Sequence, residues 1–198
     1  TGEATVTSTL TFTPANWDTP QVATITGVDD DIIDGSQTST ITVSIDDANS
    51  DDDFDAIADQ TVSVSTTDDD VAGFTVSETQ GSTGVDESGT TDIITVVLNA
   101  QPASDVVITV ISSDTGEATV TSPLTFTSAN WDTPQNVTVT GADDELVDGT
   151  VNSTVTIAID DANSDDDFDA AADQTVSVST TDDDAVSYTH LRAHETLA

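Results

Sequence analysis

The densest chemistry in the chain lies in Gly141-Ala-Asp-Asp-Glu-Leu-Val-Asp-Gly149, where Asp143, Asp144, Glu145 and Asp148 share one short turn. The same turn occurs earlier as Gly27-Val-Asp-Asp-Asp-Ile-Ile-Asp-Gly35, carrying Asp29, Asp30, Asp31 and Asp34. Carboxylates held this close repel one another unless something positive lies between them. The protein offers almost nothing for that purpose. Its 198 residues include one Lys or Arg and two His against 39 acids, a formal net charge of −38. An anionic, oxygen-only ligand set suits a hard divalent cation, calcium above all, and argues against zinc or copper.

The elements that position these acids are strands. Runs of Val, Ile and Thr alternate between the acidic clusters, and no stretch carries a helical period. The acids are therefore read as loop residues of a folded protein, although low hydrophobicity with high charge can also mark disorder. So anionic a surface excludes nucleic acid and acidic membrane as partners. No apolar run is long enough to span a bilayer. Without cysteine, no disulfide supports the fold.

Residues 1–70 and 115–184 align without a gap at about three-quarters identity, with a period of about 114 residues, which is the size of a domain. Residues 71–184 are then one complete repeat and residues 1–70 the later part of the repeat before it, so the chain reads as an interior fragment of a longer protein. Residues 185–198 break the pattern. Val186–Ala198 contains the only Tyr together with Arg192, His190 and His194. It resembles translated sequencing-adapter read-through and is set aside from the fold and the metal sites.

In the complete repeat, strands are expected at Gly73–Ser77, Thr91–Leu98, Asp105–Ser112, Ala118–Thr127 (broken at Pro123), Asn136–Thr140, Ser153–Ile159 and Thr175–Thr180. About seven short strands in about 110 residues point to an immunoglobulin-like antiparallel β-sandwich. In such a sandwich, alternate loops share an end. The loops after the first, third and fifth strands and the close of the seventh hold Glu87, Asp114, the turn with Asp143, Asp144, Glu145 and Asp148, and then Asp182, Asp183 and Asp184. Nine carboxylates would meet there, enough for two or more calcium ions. The competing reading is the solvated acidic surface of a salt-adapted protein. Trp131, and its copy Trp17, are expected as packing anchors at the rim of the core rather than as sugar platforms.

The complete repeat resembles a Calx-beta domain, a calcium-binding module of sodium–calcium exchangers and of large bacterial surface proteins. The resemblance rests on Asp86-Glu87-Ser-Gly89, on Leu124-Thr-Phe126 leading into the Gln135–Thr140 strand, on Ala142-Asp-Asp-Glu-Leu-Val-Asp148, and on the closing Asp182-Asp-Asp184. It implies calcium ligation by Glu87, Asp114, Asp143, Asp144, Asp148, Asp182, Asp183 and Asp184. Asp148 stands where the family usually has Glu. In the truncated first copy the equivalent acids are Asp29, Asp30, Asp31, Asp34, Asp68, Asp69 and Asp70, expected to bind weakly without the first-loop and third-strand partners. The fold class implied is all-β, tandem immunoglobulin-like (Calx-beta-like) antiparallel β-sandwiches with the first copy truncated.

A second acidic loop, Asp160–Asp169, alternates Asp161, Asn163, Asp165, Asp167 and Asp169 like the first half of an EF-hand loop. Asp166 replaces the required glycine and Ala172 the bidentate glutamate, so the loop reads either as a weak calcium site or as a flexible acidic loop. By strand parity it lies at the opposite end from the main cluster, where the preceding repeat's Asp68–Asp70 arrives. Calcium there would stiffen the joint.

Three functions follow in order. The first is a non-enzymatic, calcium-rigidified spacer in a large extracellular bacterial adhesin or surface protein. Its partners are neighbouring repeats of the same chain, and any cell-surface or carbohydrate ligand is engaged through other domains. The second is a carbohydrate- or surface-binding module on the same sandwich. The third, an enzyme, lacks a nucleophile–base pair, because residues 1–185 contain no His, Cys or Lys.

Overall fold

A computed structural model describes residues 2–7 and 9–184, so the expectations for Val186–Ala198 fall outside the described residues. The chain divides into two compact units, Thr1–Val71 and Ala72–Ala198. The first holds four strands, β1 (Ala4–Val6), β2 (Ile25–Gly27), β3 (Gln37–Val43) and β4 (Gln60–Thr66). They pair only as β1–β2 and β3–β4.

The second unit is a β-sandwich. Its strands are β5 (Phe74–Glu78), β6 (Thr83–Asp86), β7 (Thr91–Leu98), β8 (Val106–Ser112), β9 (Ala118–Val120), β10 (Leu124–Phe126), β11 (Gln135–Gly141), β12 (Val151–Ile159) and β13 (Gln174–Thr181). One sheet runs β5-β7-β11-β9 and the other β10-β8-β12-β13-β6. All pairs are antiparallel except β13–β6, which is parallel. The period-2 pattern sends Ile94, Val96, Val137 and Val139 of one sheet against Val106, Ile108, Val155 and Ile157 of the other, and every one of these is buried.

Each of the seven strands expected from the sequence has a counterpart, with ends differing by one or two residues. Two features were not expected. β6 is a four-residue strand, Thr-Gly-Val-Asp, too short for a pattern to register; it is held in place by parallel pairing with β13. The fourth strand is broken at Pro123 as anticipated, but its halves join different sheets: β9 pairs with β11, and β10 with β8. The Ser122–Pro123 bond is cis, and the Ser122 hydroxyl accepts from the Val110 amide at 2.9 Å within this crossover.

The Asp160–Asp169 loop folds as two 3-10 turns, Asp161–Asn163 and Asp166–Phe168. Phe168 is fully buried and anchors the loop to the core. Asp165 is only 6% exposed. Its carboxylate accepts from the backbone amides of Ser104 (2.7 Å) and Asp167 (3.2 Å). Burial alone would push its pKa up, but these bonds outweigh that and hold it below the usual carboxylate range. The Asn163 amide likewise donates to Asp160 at 2.9 Å. Asp165 therefore ties the loop to the Ser104 amide as well as to its own Asp167 amide, and Asn163 binds the Asp160 side chain. Asp165→Ala is expected to leave the Ser104 amide without its acceptor and to destabilise the unit by about 2 kcal/mol. A thermal melt at neutral pH would register this as a lower transition temperature.

Candidate metal centre

The acidic turn is brought to the end of the sandwich by β11. At its last residue, Gly141, an added Cβ would lie 1.9 Å from the Asp86 carbonyl oxygen. Only glycine lets the start of the acidic turn pass this close to the turn that follows β6. The Gly141 amide donates to the Thr90 carbonyl at 3.0 Å, fixing the approach. In that turn Gly89 has φ +87°, Asp86 accepts from the Ser88 amide at 3.1 Å, and the Glu87 amide donates to the Thr181 carbonyl at 3.1 Å. These contacts aim the Glu87 side chain inward, where it is 1% exposed.

Glu117 lies opposite, just before β9. The Asp114 carboxylate accepts from the Gly116 amide at 3.0 Å and shapes its turn. The Glu117 carbonyl accepts from the Ala142 amide at 2.8 Å and from the Thr180 hydroxyl at 3.3 Å. Its side chain is buried as well. At the close of β13, the Asp182 carboxylate accepts from the amides of Gly149 (2.9 Å) and Asp184 (2.7 Å), tying the end of the acidic turn to the end of the strand.

Two groups of ligand oxygens result. One comprises Glu87, Glu117 and Asp148, the other Glu87, Asp182 and Asp184, and in each the oxygens lie within 4.8 Å of one another. Two oxygens on opposite sides of a calcium ion are separated by about 4.6–5.2 Å, twice the Ca–O distance. Glu87 belongs to both groups, so it would contribute to an ion held at either. The donor set is oxygen throughout. One oxygen each of Glu87, Glu117 and Asp184 is buried with no hydrogen-bond partner in the protein. Buried carboxylate oxygens without donors are costly, and a cation is the partner this chemistry calls for.

No protein-family model and no curated protein matches the sequence. Solved structures do resemble it. The apo form of the Calx CBD1 domain superposes with a TM-score of 0.40 at 12% identity, over 57% of this chain and 99% of that one. Domains 4 and 5 of the S-layer protein SbsC give 0.41 at 17% identity, over 90% and 70%. The E. coli chaperone DraB gives 0.41 at 6% identity, over 59% of each chain.

The acids named from the sequence take different places around this centre. Glu87, Asp148, Asp182 and Asp184 supply oxygens to the two groups. Asp144 accepts from the Leu146 amide at 2.6 Å and acts as a neighbouring charge on Glu87, Glu117 and Asp184, the last of which also feels Asp143. Asp114 shapes the Glu117 turn. Glu145 and Asp183 are exposed and belong to neither group. Glu117 was not anticipated. Its signal was a glutamate directly preceding a β-run, three residues after Asp114, and a charge in a loop reads as solvated until the loop is seen to be covered. Trp131 is half-buried at the sheet margin, and its carbonyl accepts from the Leu98 amide at 3.2 Å.

The first unit keeps the turn. Asp68 accepts from Asp34 (3.0 Å), Gly35 (2.7 Å) and Asp70 (2.8 Å), as Asp182 does from Gly149 and Asp184. Glu3, Asp29, Asp30, Asp34, Asp68, Asp69 and Asp70 line an open cavity of about 270 Å³, and Asp31 adds its charge beside Asp70. Among the described residues of that unit no counterpart of Glu87 closes the site.

The electrostatics follow the geometry. Burial, then the charges of Asp182, Asp144, Asp148 and Glu117, push Glu87 up to about 7. Burial, then Asp148 and Asp114, raise Glu117, and burial with Asp182 and Asp183 raises Asp184. Asp182 is held low by its backbone amides. An acid raised by folding stabilises the fold fully below its unfolded pKa, and that contribution is lost as pH rises through the folded value. Metal-free protein should therefore melt at higher temperature at pH 5 than at pH 8, the loss running from the ordinary glutamate value of 4.5 up to the Glu87 value of about 7. Melts in chelator across that range check this; a transition temperature that falls on acidification to pH 5 contradicts it.

Proposed function

We propose that this chain is a calcium-binding, calcium-rigidified structural spacer of a large extracellular bacterial adhesin or surface protein. The observation that carries the reading is the pair of buried glutamates, Glu87 and Glu117, facing Asp148, Asp182 and Asp184 with orphaned oxygens and, among the described residues, no basic side chain to meet them. Calcium that binds this centre only when the sandwich is folded couples stability to external calcium. At millimolar calcium outside the cell, the loops at one end of the sandwich are locked together. In a low-calcium cytosol the same loops repel. Near-identical tandem copies suit a stalk, in which length and stiffness matter more than any unique site.

A salt-adapted acidic surface would place its acids in water. Burial of two glutamates at the convergence of four loops favours a specific ion instead. We read the chain as non-enzymatic, since residues 1–185 hold no His, Cys or Lys to act as base or nucleophile. Its partners are the neighbouring repeats.

The deciding experiment is a thermal melt of the chain in calcium and in chelator, at fixed high sodium chloride. Calcium at 100 times its Kd should stabilise the fold by about 2.7 kcal/mol. Full stabilisation by sodium alone would assign the acids to salt adaptation. Glu87→Gln keeps the side chain's shape, relieves repulsion and removes the charge common to both groups. It should raise the melting temperature in chelator while weakening calcium binding by at least about tenfold, a loss of about 1.4 kcal/mol, by calorimetry. Unchanged calcium affinity in Glu87→Gln would remove Glu87 from the ligand set.

A further inference from the structure

The sequence holds seven asparagines. Five of them spend their carboxamides on the fold. Asn16 accepts from the Thr13 amide and hydroxyl, and Asn130 accepts from the same two groups of Thr127. Asn99 accepts from the Thr75 hydroxyl, and Asn49 and Asn163 donate to Asp46 and Asp160. The other two, Asn136 and Asn152, are exposed, and their side chains make no hydrogen bond among the described residues.

These two are also the only asparagines followed two residues on by a hydroxyl, in Asn136-Val-Thr138 and Asn152-Ser-Thr154; the other five have Asp or Gln at that position. Asn-x-Thr, with x other than proline, is the pattern read by N-linked glycosylation. A threonine-rich chain contains this pattern by composition alone. Composition does not explain why the pattern falls on the two carboxamides the fold leaves unused. In the earlier copy the hydroxyls persist as Thr24 and Thr40, but Val22 and Thr38 stand where the asparagines would be.

Strand geometry presents both halves of each pattern together. Alternation turns Asn136 and Thr138 outward around Val137, which is 0% exposed, and Asn152 and Thr154 outward around Ser153, which is 3% exposed. Each asparagine stands one residue inside the start of its strand. At Asn136 the strand pairs with β7 alone, opposite Thr95, and at Asn152 with β13 alone, opposite Ser179. Because β11 and β12 belong to different sheets, the two side chains leave the sandwich on opposite faces.

We propose that Asn136 and Asn152 are acceptor sites for N-linked sugar, one on each outer face of the second unit. The donor is a hexose whose anomeric carbon carries a diphosphate leaving group. The carboxamide nitrogen bonds to that carbon, the bond from the carbon to the diphosphate oxygen breaks, and the diphosphate leaves with the bonding pair. One amide proton passes to a base on the transferase. A sugar at either position meets water and the hydroxyls beside it, and the inward rows of the core are undisturbed. The modification does not depend on calcium.

The test incubates the full chain, folded and unfolded, with uridine diphosphate glucose and a soluble transferase that reads Asn-x-Thr. In a second arm the chain is secreted from a eukaryotic cell, where the sugar arrives on a lipid diphosphate. Peptide mass spectrometry should find sugar on Asn136 and on Asn152, and Asn136→Gln and Asn152→Gln should each lose one site. The arm that yields sugar names the donor class. The modified chain should melt no lower than the bare one. Asp132→Thr creates the same pattern at Asn130, whose carboxamide is in use, and sugar there should lower the melting temperature. No sugar from either donor overturns the proposal, and sugar at one site alone overturns the other. A modified chain that melts below the bare one, or one that tolerates sugar at Asn130 equally well, also overturns it.

Discussion

Everything at the acidic end of the sandwich depends on one constraint: Glu87 and Glu117 are buried, and the described residues hold no Lys, Arg or His to meet them. The hydrophobic core fixes the ends of β6, β8, β11 and β13, and those ends aim the carboxylates at one another. Core packing is strong enough to impose this arrangement because Ile94, Val96, Val106, Ile108, Val137 and Val139 are all shut away from water. The acids are therefore held in a geometry they would not choose, and the raised pKa of Glu87 measures that conflict. Protons or a divalent cation resolve it. Protonation does so only on the acidic side of neutrality, while an ion does so at the pH of open water.

The backbone contributes as much as the carboxylates. Asp182 holds the acidic turn through the Gly149 amide and the close of β13 through the Asp184 amide, so it is both a ligand-type group and a clasp beside Asp148. Gly141 permits the close pass of two turns. Asp114 and Asp86 spend their oxygens on turn amides. An acidic loop thus contains acids of two kinds, those that build the turn and those that remain free, and only hydrogen-bond geometry separates them.

That distinction sets how far the sequence could be read. The repeat, the strands and the end at which the acids gather were legible, because alternation and turn chemistry are local and loop parity is a topological rule. β6 was not, since four residues with a central glycine carry no period. Nor was the sheet change at Pro123, which depends on which neighbour each half of the strand meets. Glu117 escaped because its burial is decided by Ala142 and Thr180, distant in sequence. In Asp160–Asp169 the alternation suggested metal ligation, but Asp165 faces Ser104, a contact no spacing rule contains.

Comparing the two copies isolates what the residues from 72 to 114 contribute. Where sequence is nearly constant, differences in burial report missing partners rather than different intrinsic preference. Phe168 is fully buried in the second unit and Phe54 exposed in the first. The acidic turn, by contrast, is the same in both units: Asp68 and Asp182 hold the amides of Gly35 and Gly149 alike. Turn geometry is thus encoded locally, within the conserved half of the repeat. The Phe74–Ser112 stretch supplies Glu87 together with the β7 and β8 strands of the second unit. A single stretch of chain therefore contributes both to the apolar core of the second unit and, through Glu87, to its charged end.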